Sequence, residues 1–126
     1  MPVVFVLAHD WTLRTAVRAE LREIGVEALG MDSPDDAGKA IAAGGMPAAV
    51  VLEAAADFVS DSAVQNLISV VPTILIASRT EKMPVPPAPP GEPGFVRSHG
   101  VVLYRPVPVA EIVSRVRDFL QKGQAA

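Results

Sequence analysis

Cysteine is absent from this 126-residue sequence, which excludes disulfide bonds, zinc–thiolate sites and thiol nucleophiles. There is no run of lysine and arginine, and the net charge of −3 argues against a nucleic-acid surface. No apolar stretch is long enough to span a membrane. The apolar residues after Met1-Pro2 are too few for the core of a signal peptide and lack its positive flank. We therefore expect a cytoplasmic protein with neither nucleic acid nor a membrane as its partner.

Two kinds of enzyme site are also missing. The loop after the first predicted strand, residues 8–12, contains no glycine-rich phosphate cradle. No Ser-His-Asp or Cys-His set occurs at suitable positions for nucleophilic catalysis. We therefore do not expect an enzyme, although the sheet architecture predicted below also occurs in small enzymes and cofactor-binding proteins.

Half of the residues are hydrophobic, and the length suits one domain with its own core. Short apolar runs alternate with amphipathic helical patterns, a succession that predicts crossover units and a parallel sheet. The predicted strands are residues 3–7, 26–31, 48–52, 73–77 and 101–104. The predicted helices are residues 12–24, 34–44, 62–70 and 109–121.

Residues 78–99 interrupt this alternation where a further helix is expected before the last strand. Six prolines fall within ten residues there, from Pro84 to Pro93. This density forbids a helix and favours extended polyproline II structure, so we predict a proline-rich loop in its place. The predicted domain covers residues 1–122, and residues 123–126 form a tail.

Three ionisable residues, Asp10, Glu53 and Arg105, lie at or shortly after the carboxyl ends of predicted strands. Ligand sites of open parallel sheets lie at the carboxyl ends of the strands, so we expect these side chains to converge on one patch. Asp10 either caps the following helix or serves as a metal ligand. Arg105 either forms a bidentate pair with Glu53 or lies exposed beside Pro106.

With its strands placed, the chain resembles a response-regulator receiver domain over residues 3–121, apart from the proline-rich stretch. The resemblance implies a flavodoxin-like, doubly wound α/β fold whose five-stranded parallel sheet has the order 2-1-3-4-5. It also implies two-component signalling, in which an Asp at the end of the third strand accepts a phosphoryl group. In this family two acids after the first strand help to bind Mg²⁺.

The acidic positions of the family are only partly kept. The paired acids fall on His9 and Asp10, and the phosphoacceptor position falls on Glu53. The additional methylene of Glu53 displaces its carboxylate by about 1.5 Å. A misplacement of that size costs a reaction about a hundredfold in rate, so we predict a poor acceptor. Glu53 is then either a fixed negative charge with a conformational role or a solvated carboxylate.

The remaining positions of the family pattern also differ. A Thr or Ser ends the fourth strand in the family, but this position falls on Ala77; Ser78, one residue later, is the candidate to replace the missing hydroxyl. A Lys-Pro pair with a cis peptide bond ends the fifth strand, and this pair falls on Arg105 and Pro106. Outside the scaffold, only Asp10 and Pro106 match the family pattern.

We therefore predict a degenerate receiver, or pseudo-receiver, from a bacterial protein. It is expected to escape the usual Asp phosphorylation and to act through a protein partner, or through a homodimer. No cofactor is expected apart from a weak Mg²⁺ site at Asp10 and Glu53, where His9 removes one of the oxygen ligands that Mg²⁺ prefers. His9 is either an ordinary loop histidine or a pH sensor. The alternative is a slow phosphorelay receiver that uses Glu53 and Asp10 with Mg²⁺.

Overall fold

Alternating strands and helices build one parallel sheet in the computed structural model, which describes residues 2–78 and 100–124. The strands are β1 (Val3–Leu7), β2 (Glu27–Met31), β3 (Ala49–Glu53), β4 (Thr73–Ser78) and β5 (Gly100–Arg105). The helices are α1 (Trp11–Glu23), α2 (Pro34–Gly44), α3 (Ala56–Val59), α4 (Ser62–Val70) and α5 (Val109–Gln124). The strand order β2-β1-β3-β4-β5 confirms the predicted doubly wound sheet.

Two helices differ from the prediction by more than one residue. Helix α3 was not predicted, because one turn of four residues shows no periodicity and its N-cap residue, Ala55, makes no side-chain hydrogen bond. Helix α5 continues to Gln124 and takes in part of the predicted tail. Ser78 ends β4, and the rest of the predicted proline-rich loop, residues 79–99, lies outside the described residues.

The central strands are covered on both faces. Val4 and Val6 of β1 pack with residues of α1 and α5, whereas Phe5 and Leu7 pack with residues of α2, α3 and α4. This division follows from the alternation of side chains along a strand. It also explains the continuous apolar runs that predicted the strands. In the part of the chain that is described, no helix has both the length and the apolar character needed to cross a membrane.

Side-chain caps fix where three helices begin. Asp10, Ser33 and Asp61 each accept a hydrogen bond from a backbone N–H in the first turn of α1, α2 and α4, at 3.2, 3.3 and 3.0 Å. Such caps satisfy amide groups that have no partner within the helix. The cap on α1 holds the Asp10 side chain at the carboxyl end of β1, which is where the candidate site lies.

Candidate functional site

One arginine joins two of the acids expected at the carboxyl edge of the sheet. Arg105 ends β5, and its side chain crosses the end of β4 to reach Glu53 at the end of β3. Its Nη2 donates to Glu53 Oε2 at 2.5 Å, and its Nη1 donates to Asp10 Oδ2 at 3.2 Å. The bidentate pair with Glu53 alone is therefore not what forms, because the two terminal nitrogens bond to different carboxylates. We call Arg105, Asp10 and Glu53 the Arg105 cluster.

Both oxygens of Glu53 are engaged. Oε1 accepts hydrogen bonds from the backbone N–H groups of His9, at 2.8 Å, and Asp10, at 3.4 Å, while Oε2 is bonded to Arg105. The Glu53 side chain is only 16% exposed, the least of the cluster. Its carboxylate is thus fixed between the loop after β1 and the end of β5, rather than freely solvated.

Asp10 has two functions in the cluster. Its Oδ1 accepts from the Leu13 N–H at the start of α1, while Oδ2 accepts from Arg105. The hydrogen bond from Leu13 is the larger cause, and that from Arg105 the second, of a lowered pKa for this carboxyl. Asp10 therefore stays ionised through the neutral range, as both the cap and the ion pair require.

A second set of charges surrounds His9, whose ring lies between two carboxylates. Nδ1 is 3.0 Å from Asp32 Oδ1, and Nε2 is 2.8 Å from each carboxylate oxygen of Asp57. The ring also stacks on Phe58, with centroids 4.5 Å apart. The hydrogen bond with Asp32, followed by that with Asp57, raises the pKa of His9, since a protonated ring donates from both nitrogens. We call His9, Asp32 and Asp57 the His9 cluster.

Neither Asp32 nor Asp57 was predicted to be a site residue. A signal for Asp32 existed, because it directly follows β2 and thus obeys the strand-end rule that selected Asp10. Asp32 also lies 3.7 Å from Arg14, whose Nη1 donates to the carbonyl of Ala8 at 2.7 Å. Asp57 lies in α3, the helix that the sequence pattern did not predict, so its position carried no comparable signal.

The hydroxyl and proline positions lie where the resemblance places them. Ala77 is buried in β4 and offers no hydroxyl, while Ser78 is paired in register with Arg105 of the neighbouring strand. The peptide bond between Arg105 and Pro106 is cis, as the resemblance implies. Whether Ser78 replaces the missing hydroxyl stays a prediction.

An open groove of about 550 Å³ adjoins Arg105, between α1 and the segment that connects β5 to α5. Asp10, Thr12 and Arg105 form its polar part. Its other lining residues are mainly apolar: Leu13, Ala16, Ile76, Pro106, Val107 and Val109. Trp11, the neighbour of Thr12 in sequence, is 67% exposed. The groove is thus shaped mainly for apolar contact.

No protein-family model matches the chain, and no curated protein matches its sequence. Its fold, in contrast, is found in solved receiver domains. A CheY-like receiver-domain protein from Methanospirillum hungatei JF-1 is 15% identical, with a TM-score of 0.72 and 98% of each chain covered. A receiver protein from Burkholderia phymatum is 21% identical, with a TM-score of 0.67 and 96% of each chain covered.

The receiver domain of the hybrid histidine kinase CckA is a third similar structure. It is 14% identical, with a TM-score of 0.64, and the alignment covers 94% of this chain and 98% of that chain. The chain therefore has the fold of response-regulator receiver domains, and the predicted resemblance is confirmed at the level of fold. The chemistry of such a fold depends on the residues of its site, which here are the two clusters.

Proposed function

We propose that this protein is a receiver-like module of two-component signalling that acts by contact with a protein partner, without the usual Asp phosphorylation. The observation that carries the proposal is the state of Glu53, both of whose carboxylate oxygens already have strong hydrogen-bond donors. The proposal retains the cytoplasmic location expected from the sequence. It names a second copy of the chain as one candidate partner.

Phosphoryl transfer requires an acceptor oxygen in line with the phosphorus atom and a cation on the transferred group. Oε2 of Glu53 is held by the Arg105 guanidinium, and Oε1 is held by two backbone amides. Attack by either oxygen would have to compete with these hydrogen bonds. The geometry therefore supports a carboxylate that orders the surrounding loops without being phosphorylated.

Two other positions support the same conclusion. Ala77 has no hydroxyl group to bond a phosphoryl oxygen, and it is buried. His9 stands where the resemblance calls for an acid, and its ring faces Asp32 and Asp57 instead of Glu53. Each change weakens one element of phosphate handling, while the Arg105 cluster supplies an ordered structure that needs no phosphate.

Protein contact is favoured by the surface beside the cluster. Trp11 is largely exposed, and the adjoining groove is mainly apolar. Exposed aromatic residues beside apolar depressions are typical anchors of protein interfaces. Asp10 and Arg105 of the cluster line this groove, so a change in the cluster would alter the surface that a bound partner contacts.

The proposal is tested by incubating the protein with Mg²⁺ and acetyl phosphate, followed by intact-mass spectrometry and peptide mapping. We expect no phosphoryl adduct on the native protein. The Glu53→Asp variant, treated identically, shows whether a shorter acid restores an acceptor. A phosphoryl adduct mapped to Glu53 of the native chain would overturn the proposal and establish the slow phosphorelay receiver in its place.

A further inference from the structure

We propose that the Arg105 guanidinium takes the place of a divalent cation between Asp10 and Glu53, so that the native site excludes Mg²⁺ and contains a latent cation site. This inference rests on the proposed function because it concerns the same site. It goes further by naming what occupies the space between the carboxylates and what change would open that space.

The available oxygens do not suit Mg²⁺ in their present arrangement. Mg²⁺ requires nearly octahedral coordination by hard oxygen ligands and exchanges its waters reluctantly. Asp10 Oδ1 caps α1 and Oδ2 bonds to Arg105, while both oxygens of Glu53 also have donors. In residues 2–78 and 100–124, no group of three or more His, Asp or Glu side chains is arranged to hold a metal ion.

The guanidinium of Arg105 neutralises the carboxylates as a bound metal ion would. Its charge is permanent, and its planar array of N–H groups can bond two carboxylates in different directions. Asp10 and Glu53 carry two negative charges, so Arg105 leaves the cluster with one. A divalent ion would therefore have to displace Arg105 or lie close to it, where the two positive charges repel each other.

Among the residues that the structure describes, the His9 side of the site completes no group of three ligating side chains. Both ring nitrogens of His9 bond to carboxylates of the His9 cluster, and only the backbone N–H of His9 reaches Glu53. A backbone N–H repels a cation instead of binding it. Among the described side chains, Asp10 and Glu53 are thus the ligands that an ion could use, and Arg105 is the group that lies between them.

Titration with Mn²⁺, followed by electron paramagnetic resonance, tests the inference directly. Mn²⁺ favours carboxylate and water ligands, as Mg²⁺ does. We expect the Arg105→Ala variant to bind Mn²⁺ about tenfold more tightly than the native chain, because a nearby positive charge is removed. Arg115→Ala is the matched control, because it removes the same charge at a distant position. Arg115 lies on α5, where it forms an ion pair with Glu111.

Further variants locate the ion and guard against a folding defect. Glu53→Gln or Asp10→Asn, combined with Arg105→Ala, should abolish the gain in Mn²⁺ binding. Arg105→Gln keeps most of the side-chain volume and should show the same gain, with circular dichroism as the check on folding. If Arg105→Ala fails to fold, the Gln variant and the native titration still decide the question.

Two results would overturn the inference: equal Mn²⁺ affinity in the native chain and both Arg105 variants, or tight binding by the native chain at Asp10 and Glu53. Neither result touches the proposed function, because a protein that binds Mn²⁺ but gains no phosphoryl group is still not a phosphorylated receiver. A phosphoryl adduct on Glu53, in contrast, would overturn the proposed function through a separate measurement.

Discussion

The Arg105 cluster and the His9 cluster lie at the same edge of the sheet, but they hold their carboxylates in different ways. In the first, the cation is permanently charged and its Glu53 partner is only 16% exposed. In the second, the cation is the His9 ring, whose pKa is raised by hydrogen bonds to Asp32 and Asp57, and the side chains of His9, Asp32 and Asp57 are 41%, 67% and 50% exposed. The first cluster should therefore be a constant part of the structure, and the second should depend on solution conditions.

The largest effect on stability is expected from removing the Arg105 guanidinium. Arg105→Ala leaves two neighbouring carboxylates without their shared donor, and we expect it to lower the free energy of unfolding by about 1–2 kcal/mol. This range lies below that of a fully buried pair because Arg105 and Asp10 are 38% and 37% exposed. Urea denaturation measures the change. Arg115→Ala, the surface control, should cost far less, and equal losses in the two variants would contradict the assignment.

The second effect is the difference in coupling between the clusters. A double-mutant cycle on Arg105 and Glu53 should give a coupling energy of about 1 kcal/mol or more, since Glu53 is mostly buried. The corresponding cycle on His9 and Asp57, whose side chains are exposed, should give less than about 1 kcal/mol. Urea denaturation of each set of four proteins at neutral pH provides both values. A larger coupling for the histidine pair would reverse the comparison.

The third effect is a contrast in pH dependence. The hydrogen bond to Asp32, and after it the one to Asp57, raises the pKa of His9. The contribution of His9 to the free energy of unfolding is therefore fully present below its unfolded-state pKa of about 6.5. This contribution is lost as pH rises through the folded-state pKa. The hydrogen bond from His9 also lowers the pKa of Asp32. The Asp32 carboxyl therefore stabilises the fold at pH values above its ordinary pKa of about 4, and this stabilisation is lost on acidification.

The stability lost in His9→Gln should therefore be greater at about pH 5.5 than at about pH 9. The loss in Arg105→Ala should be the same at both values, because Arg105 stays charged and the pKa of Asp10 is lowered by Leu13 and Arg105. Denaturation curves of the three proteins across this range test the contrast. A flat difference for His9→Gln would show that the ring does not change its charge while paired.

The smallest effect is the response to salt. At about 1 M NaCl the Debye length falls to about 3 Å, so exposed ion pairs are screened more completely than partly buried ones. The cost of His9→Gln should then shrink by a larger fraction than the cost of Arg105→Ala. The same denaturation assay, with and without salt, measures both fractions. If the cost of both substitutions shrank by the same fraction, burial of Glu53 would not protect its ion pair with Arg105 from screening by salt.

Much of the fold could be predicted because apolar runs and capping residues mark where strands and helices begin and end. The apolar run at Val3–Leu7 has the same limits in the structure, and the capping residues Ser33 and Asp61 lie where the sequence indicated helix starts. The strand-end rule also selected the three members of the Arg105 cluster. It did not reveal that Arg105 divides its donors between two acids, or that His9 turns toward Asp32 and Asp57.

The sequence alone determined the alternation of strands and helices, and with it the edge at which the strand-end residues meet. Only the tertiary structure decided which charges pair, since Arg105 is 95 residues from Asp10 and 52 from Glu53 along the chain. The physical reason is range: periodicity and capping depend on neighbours within a few residues. An ion pair, in contrast, depends on distances of a few ångströms between loops that the completed sheet brings together.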